Sequence, residues 1–345
     1  MRYRLLGRSG LRVSELALGT MTFGTDWGWG ADEDACRRIV ERFAEAGGNF
    51  LDTASNYTNG SSERIVGELT KADRERWVIA TKYTLTLDAD DPNAGGNHRK
   101  SLVRALEQSL RRLQTDYVDV LWLHMRDALT PIDEVVRALD DQVRLGKVLY
   151  VGISDSPAWV VSRANAIADL RGWSPFVAVQ LPYSLAARDP EREVLPMAAE
   201  LGLTVVPWGV LEAGILTGRA PSTLRWGDVV SARAATALAA VRDVADSAGV
   251  TPAQVAIAWL LRRRAPEIVP LVGVRTVEQL DDNLGALDVE LDEEQLAVLD
   301  AASAPELGFP RSFLESNGVR ELIYGRTWDL LYSRGEDPRD AAVAR

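Results

Sequence analysis

Residues 117–154 read YVDVLWLHMRDALTPIDEVVRALDDQVRLGKVLYVGIS. Tyr117 to His124 is a short run dominated by Val and Leu, the residue mix of a buried strand. PIDEVVRALDDQVRLGK then carries its apolar residues at helical spacing, and Val148 to Ser154 is apolar again. Strand, helix and strand in that order signal a parallel βα unit, because parallel neighbours need a long crossover.

The same alternation runs outward in both directions. Strands are predicted at Leu16 to Gly19, Asn49 to Ala54, Val78 to Tyr83, Tyr117 to His124, Val148 to Ser154, Val177 to Tyr183, Leu203 to Gly209 and Ile268 to Val274. Helical segments lie between them. In DEDACRRIVERFAEAG, Ile39, Val40 and Phe43 mark one apolar face and Gly47 offers a stop; RKSLVRALEQSLRRLQ reads the same way. Eight such strands without a strong linker favour an α/β fold closed as a (β/α)8 TIM barrel over a doubly wound open sheet. Arg2 to Leu6 and Leu11 to Val13, around Arg8-Ser9-Gly10, are expected to form an N-terminal β-hairpin.

Two segments exceed a bare barrel. Leu211 to Ala232 holds Gly214, Gly218, Pro221 and Gly227 and reads as a long loop after strand seven. Beyond Leu299 come Phe309, Phe313, Tyr324, Trp328 and Tyr332, too aromatic for a plain disordered tail. Both are expected to cap the C-terminal mouth. Residues 1–345 are expected to form a single domain, with 300–345 as a C-terminal substrate-loop segment.

Composition narrows the function. The 345 residues are 46% hydrophobic and 26% charged, values of a folded chain that buries a large core. A net charge of -11 repels phosphate backbones and anionic lipid, so neither nucleic acid nor a membrane surface is an expected partner. Cys36 is the single cysteine, which excludes an intramolecular disulfide and a thiolate metal cluster and suits a reducing cytoplasm. MRYRLLGRSG lacks the apolar core of a secretory signal, and no run is long enough to span a bilayer. Two histidines in the whole chain argue against a metal-dependent hydrolase, so no metal is expected.

In barrels of this kind the reactive groups stand where strands end. Strand two ends in Asp52 with Tyr57 just after it, strand three carries Lys82 near its end, and strand four ends in His124. Taken singly, Asp52 could cap a helix, Tyr57 sit on the rim, Lys82 be a solvated strand end and His124 a core imidazole. Their register at three successive strand ends argues instead for one acid, one phenol, one ammonium and one imidazole converging at a single mouth. His98, in the polar loop DPNAGGNHRK, is expected to face solvent. No GxGxxG follows a strand and opens a helix, and there is no P-loop, so Rossmann and Walker readings have little support.

LDTASNYTNGSSERIVG, VIATKY, DYVDVLWLH, GKVLYVGIS, VQLPYSL, GILTG and LVGVRTVEQLDDNLGAL, in that order, resemble the aldo-keto reductase superfamily across roughly residues 5–302. The resemblance implies a barrel that reversibly reduces an aldehyde or ketone with NADPH, NADH being the less favoured cofactor. It implies Tyr57 as general acid, Lys82 as the cation that lowers its pKa, Asp52 as the partner that keeps Lys82 charged, and His124 as the group orienting the carbonyl oxygen.

For the cofactor, the resemblance implies Thr20, Met21 and Asp52 among the binding residues, Ser154, Asp155 and Gln180 around the nicotinamide amide, and Trp208 stacked on its ring. Gly209, Val210, Leu211, Gly214 and Leu216 would run backbone N–H groups beside the pyrophosphate. Gly273, Val274, Arg275, Gln279, Asp282 and Asn283 would hold the adenosine phosphate, with Arg275 taking the 2'-phosphate.

Three departures stand out. Asp155 replaces a common Asn and, when ionised, can accept from the carboxamide but cannot donate to it. Leu271 stands where many members carry Lys, and Thr58 where the motif usually has Gly. Trp27, Trp29 and Met125, with Tyr57 and His124, are expected to shape a pocket for an apolar or ring-bearing carbonyl substrate. A homo-oligomer is left open. The alternative function is a cofactor-sensing accessory protein, like the barrel subunits that regulate potassium channels.

Overall fold

Eight parallel strands form one sheet in the computed structural model, which describes residues 1–331 except 87, 219–230 and 264. A separate antiparallel hairpin, β1 (Tyr3–Leu5) and β2 (Arg12–Ser14), precedes them. The sheet consists of β3 (Ala17–Gly19), β4 (Phe50–Asp52), β5 (Val78–Tyr83), β6 (Val118–Leu123), β7 (Val148–Ser154), β8 (Phe176–Pro182), β9 (Thr204–Trp208) and β10 (Leu271–Gly273). Its order is β10-β3-β4-β5-β6-β7-β8-β9, so sequence neighbours pair and the last strand returns to the first. The ring closes at Val205, whose N–H donates to Glu267 O at 2.8 Å and whose carbonyl accepts from Val269 N–H at 2.9 Å. This is the expected (β/α)8 barrel. Several strands are shorter than their apolar runs: strand two covers Phe50–Asp52 and strand eight Leu271–Gly273, because apolar residues beyond the ladder still pack into the core.

Crossover helices follow the strands in turn: α1 (Glu33–Glu45), α2 (Ser61–Thr70), α3 (Arg99–Leu113), α4 (Ile132–Arg144), α5 (Ala158–Arg171), α6 (Val194–Leu201), α7 (Ala232–Ala248), α8 (Pro252–Leu261) and α9 (Val277–Gly285), with α10 (Glu293–Ser303) closing the unit. Local signals set their ends. Asp32 caps α1 by accepting from Ala35 N–H at 2.8 Å, and Gly47 stands just beyond it at φ 89°. Among the described residues no single helix is long and apolar enough to cross a membrane.

Two apolar layers follow from the period of two along each strand. Phe50, Val78, Ala80, Val120, Trp122, Ala178 and Val206 fill the barrel interior. Leu51, Ile79, Leu121 and Ile153 point the other way and pack with Ile39, Phe43, Leu102, Leu106, Val136 and Leu139 from the helices. The hairpin sends Leu6 and Val13 into the interior cluster, and Gly7 N–H donates to Thr204 Oγ1 at 2.7 Å at the start of β9, so the hairpin covers the strands' N-terminal end. Trp122 finds room across the ladder because its partner is Gly152, where a Cβ would lie 2.3 Å from the ring.

The described chain separates into two compact units, Met1–Ala304 and one that begins at Pro305. In the second, Phe309 precedes α11 (Arg311–Leu314) and packs on Phe313 within it at 6.3 Å between centroids, α12 (Asn317–Tyr324) follows, and Tyr324 and Trp328 lie 4.8 Å apart. Of the loop expected after strand seven, Glu212–Thr217 forms a 3-10 turn, while Pro221 and Gly227, like Tyr332, lie outside the described residues.

Candidate active site

The alternation that turns Val78 and Ala80 into the barrel also turns Lys82 inward. Its ammonium donates to Asp52 Oδ1 and, at 2.8 Å, to Thr53 O. From the far side, Gln180 Nε2 on β8 donates to Asp52 Oδ2 at 3.0 Å. Both carboxylate oxygens are thereby engaged, and Asp52, Lys82 and Gln180 are all at most 2% exposed. Burial alone would drive the lysine toward its neutral form; Asp52 and Tyr57 outweigh it and hold Lys82 above the ordinary lysine range. The pair is a buried charge with its counter-charge, and the ammonium also bonds the Tyr57 side chain.

Tyr57 opens the turn Tyr57–Gly60 that leads from β4 into α2. Thr58 and Asn59 take left-handed backbone at φ 44° and 54°, followed by Gly60 at φ 89°. A β-branched residue resists that conformation, which explains why a glycine suits position 58. Here the Thr58 hydroxyl offsets part of the cost, donating to Phe23 O at 2.7 Å and accepting from Ser62 N–H at 3.0 Å. The turn puts the Tyr57 ring centroid 4.9 Å from Lys82 Nζ and 6.1 Å from the His124 ring, edge to face at 81°.

One expectation is corrected by this geometry. Loss of water around the phenol pushes the Tyr57 pKa up, and Lys82 pulls it back only in part, so the net shift is upward. The phenol is therefore kept protonated. His124 is neutral: burial first and the Lys82 charge second lower its pKa to about 3. Its Nδ1 is buried and has no hydrogen-bond partner among the described residues.

Residues that the sequence reading passed over hold this turn in place. Arg112 on α3 donates to Ser55 O and to Glu63 Oε2, each at 3.0 Å, and the other Glu63 oxygen accepts from Thr81 Oγ1 at 2.6 Å beside Lys82. Glu63 is fully buried. Its one sequence signal was its place within SSERIVG, the stretch following the tyrosine. His98, expected in solvent, instead caps α3 through Nδ1, which accepts from Ser101 N–H at 3.3 Å.

Around the same mouth the expected cofactor residues divide into two groups. Ser154, at the end of β7, has a fully buried hydroxyl with no partner among the described residues. Asp155 follows it at φ 41° and accepts from Trp208 Nε1 at 3.1 Å. Trp208 is 41% exposed, so it is a presented ring and not barrel core. Arg275 is exposed, and its guanidinium has no partner among the described residues. An orphan hydroxyl, an anchored open indole and a free guanidinium are groups whose chemistry fits a nicotinamide dinucleotide.

The second group does structural work. Thr20 is buried and bonds Asp52 O at 3.0 Å and Ser62 Oγ at 2.9 Å, while Met21 is half-buried beside it. Gly209 (φ 69°) and Gly214 (φ 104°) supply the backbone turns, with Val210 buried between them. The N–H groups of Gly214 and Leu216, expected to face an anion, both donate to Leu211 O instead, at 2.9 and 3.2 Å. Val274 is buried and its carbonyl accepts from Thr22 Oγ1 at 2.6 Å; Gly273 is exposed. Gln279 accepts from Arg275 N–H at 2.9 Å, Asn283 is buried, and Asp282 accepts from Thr251 Oγ1 at the cap of α8, at 2.7 Å. Asp282 thus braces a neighbouring helix. On the expected substrate side, Trp27 and Trp29 pack at 5.6 Å, Trp27 reaches Asn59 Oδ1 at 3.4 Å, and Met125 is 37% exposed next to His124.

Comparison with known proteins bears on this arrangement. The model of the aldo/keto reductase family matches residues 15–304. A norsolorinic acid reductase of Emericella nidulans is 38% identical over 89% of this chain and 82% of its own. An aryl-alcohol dehydrogenase of Pestalotiopsis microspora is 39% identical over 92% and 86%, and an aryl-alcohol dehydrogenase [NADP(+)] of Phanerodontia chrysosporium 36% identical over 87% and 85%.

The His124 environment yields a direct prediction. An unfolded imidazole protonates near 6.5 and the folded one not until about 3, so His124 contributes stability above 6.5 that is lost as pH falls toward 3. With two histidines in the chain, NMR titration resolves it: His124 should stay neutral down to about pH 5, and a midpoint near 6.5 would contradict the burial argument.

Proposed function

The chain belongs to the aldo/keto reductase family and is an NAD(P)H-dependent oxidoreductase; from that premise we propose that it interconverts an aryl aldehyde or ketone and the corresponding alcohol, with NADPH preferred and Tyr57 as proton donor. The observation that carries this reading is the buried Asp52–Lys82 pair beside the Tyr57 ring.

When bound, the cofactor supplies hydride to the carbonyl carbon. Tyr57 gives its phenolic proton to the carbonyl oxygen, so the C=O group becomes an alcohol with its C–O bond intact and the phenol becomes phenolate. That phenolate forms beside an ammonium that already bonds the Tyr57 side chain, and the charge lowers the cost of releasing the proton. Asp52 keeps the ammonium charged throughout, and Gln180 keeps Asp52 in place. Neutral His124 offers a ring N–H that orients the carbonyl oxygen without competing as an acid. In the reverse direction the same phenolate accepts the alcohol proton.

Ser154, Asp155, Gln180 and Trp208 would hold the nicotinamide, and Arg275 the 2'-phosphate. Leu271 supplies no charge there, so the phosphate preference rests on Arg275. The relatives named for aryl alcohols and the rings of Trp27 and Trp29 support an aromatic substrate. The buried Cys36 thiol, pushed up to about 12 by burial, suits a reducing cytoplasmic setting.

Two experiments test this. Tyr57→Phe should lower the turnover of an aryl aldehyde by about 100- to 10,000-fold, the usual range for a lost general acid, with NADPH affinity nearly unchanged. Wild-type turnover in that variant would remove the assigned acid, and oxidation of NADPH by no member of a carbonyl panel would favour an accessory role. NADPH should bind more tightly than NADH, and Arg275→Ala should narrow the gap by about tenfold or more, the worth of a charge-assisted bond. Equal affinity in the parent would reject the preference.

A further inference from the structure

We infer that Asp155 makes the site discriminate between the two redox forms of the nicotinamide, binding the oxidised, positively charged ring more tightly than the neutral reduced one. The inference rests on the cofactor reading above and adds a role that a neutral side chain at this position could not supply.

Geometry fixes where the carboxylate stands. Asp155 is the first residue beyond β7, its N–H donates to Gln180 O at 3.1 Å, and its left-handed backbone at φ 41° is one that Asp tolerates better than most residues. One carboxylate oxygen accepts from the Trp208 indole, and the other has no hydrogen-bond partner among the described residues. The indole is the ring presented for stacking, so the carboxylate lies at the edge of the surface against which the nicotinamide would rest. Burial raises the Asp155 pKa, while the Trp208 bond and the Lys82 charge favour the ionised form, and the charge of Asp155 in turn acts on Tyr57. Next to it the orphan Ser154 hydroxyl offers a neutral contact that treats both redox forms alike.

A carboxylate and a ring that gains a unit of positive charge on oxidation attract each other in one state only. At the partly solvated barrel mouth, an effective dielectric well above that of a dry interior limits the effect to about tenfold in relative affinity. For a two-electron couple that factor lowers the reduction potential of the bound cofactor by about 30 mV. Reduced cofactor held here is correspondingly a better hydride donor, and oxidised cofactor leaves more slowly.

The test is a fluorescence titration of the whole protein with NADP+ and with NADPH. Asp155→Asn keeps the size, the acceptor for the Trp208 indole and a tolerance for left-handed backbone, while removing the charge. It should weaken NADP+ by about tenfold relative to NADPH. Trp208→Phe removes the indole donor and leaves the charge, so it should weaken both forms by similar factors. An unchanged NADP+ to NADPH ratio in Asp155→Asn, with both forms still bound, would overturn the inference alone. A parent that binds neither form would overturn the cofactor reading, and this inference with it.

Discussion

A lysine ammonium that water does not reach stays charged only if something replaces the water, and at the centre of this barrel Asp52 does so. The pair spans β4 and β5, is fixed from β8 by Gln180, and reaches the Tyr57 side chain through the same ammonium. Burying two charges is costly, and good geometry brings such a pair near break-even at best. Its value here is positional: it stands beside the Tyr57 ring and sets what that phenol can do. Tyr57 is pushed toward its neutral form by burial, His124 likewise, and Lys82 toward its charged form by its partner. A neutral phenol, a neutral imidazole and a fixed cation thus arise from one buried environment acting on three side chains with different chemistry.

Much of this was legible in the sequence because a barrel strand writes both its packing and its chemistry into a period of two. Val78, Ala80 and Lys82 share a face, so a reader who places the first two in the core has also placed the third. The strand-end rule then gathers Asp52, Tyr57 and His124. Strand limits were less legible, because Ile268 and Val269 are fully buried although they precede β10.

What the sequence concealed depends on partners far apart in the chain or on backbone dihedrals. Glu63 and Arg112 lie 49 residues apart, and nothing in either segment announces that they meet under the Tyr57 turn. Asp282, expected among the cofactor-binding residues, accepts from Thr251 Oγ1, a bond no sequence pattern announced. His98 looked solvated, yet its ring nitrogen caps α3. Gly214 was expected to free N–H groups for an anion, but the turn it permits folds back on Leu211. The Tyr57 pKa went the other way from expectation because burial, invisible in a residue string, outweighs a cation that the string shows plainly.

The account stands or falls on whether Lys82 acts electrostatically on Tyr57. The most direct measurement is the first-turnover rate of NADPH oxidation by an aryl aldehyde in Lys82→Met, which keeps the side-chain length and removes the charge. A fall of about a hundredfold or more, with NADPH affinity retained, is what the account predicts. A first turnover as fast as that of the parent would contradict it.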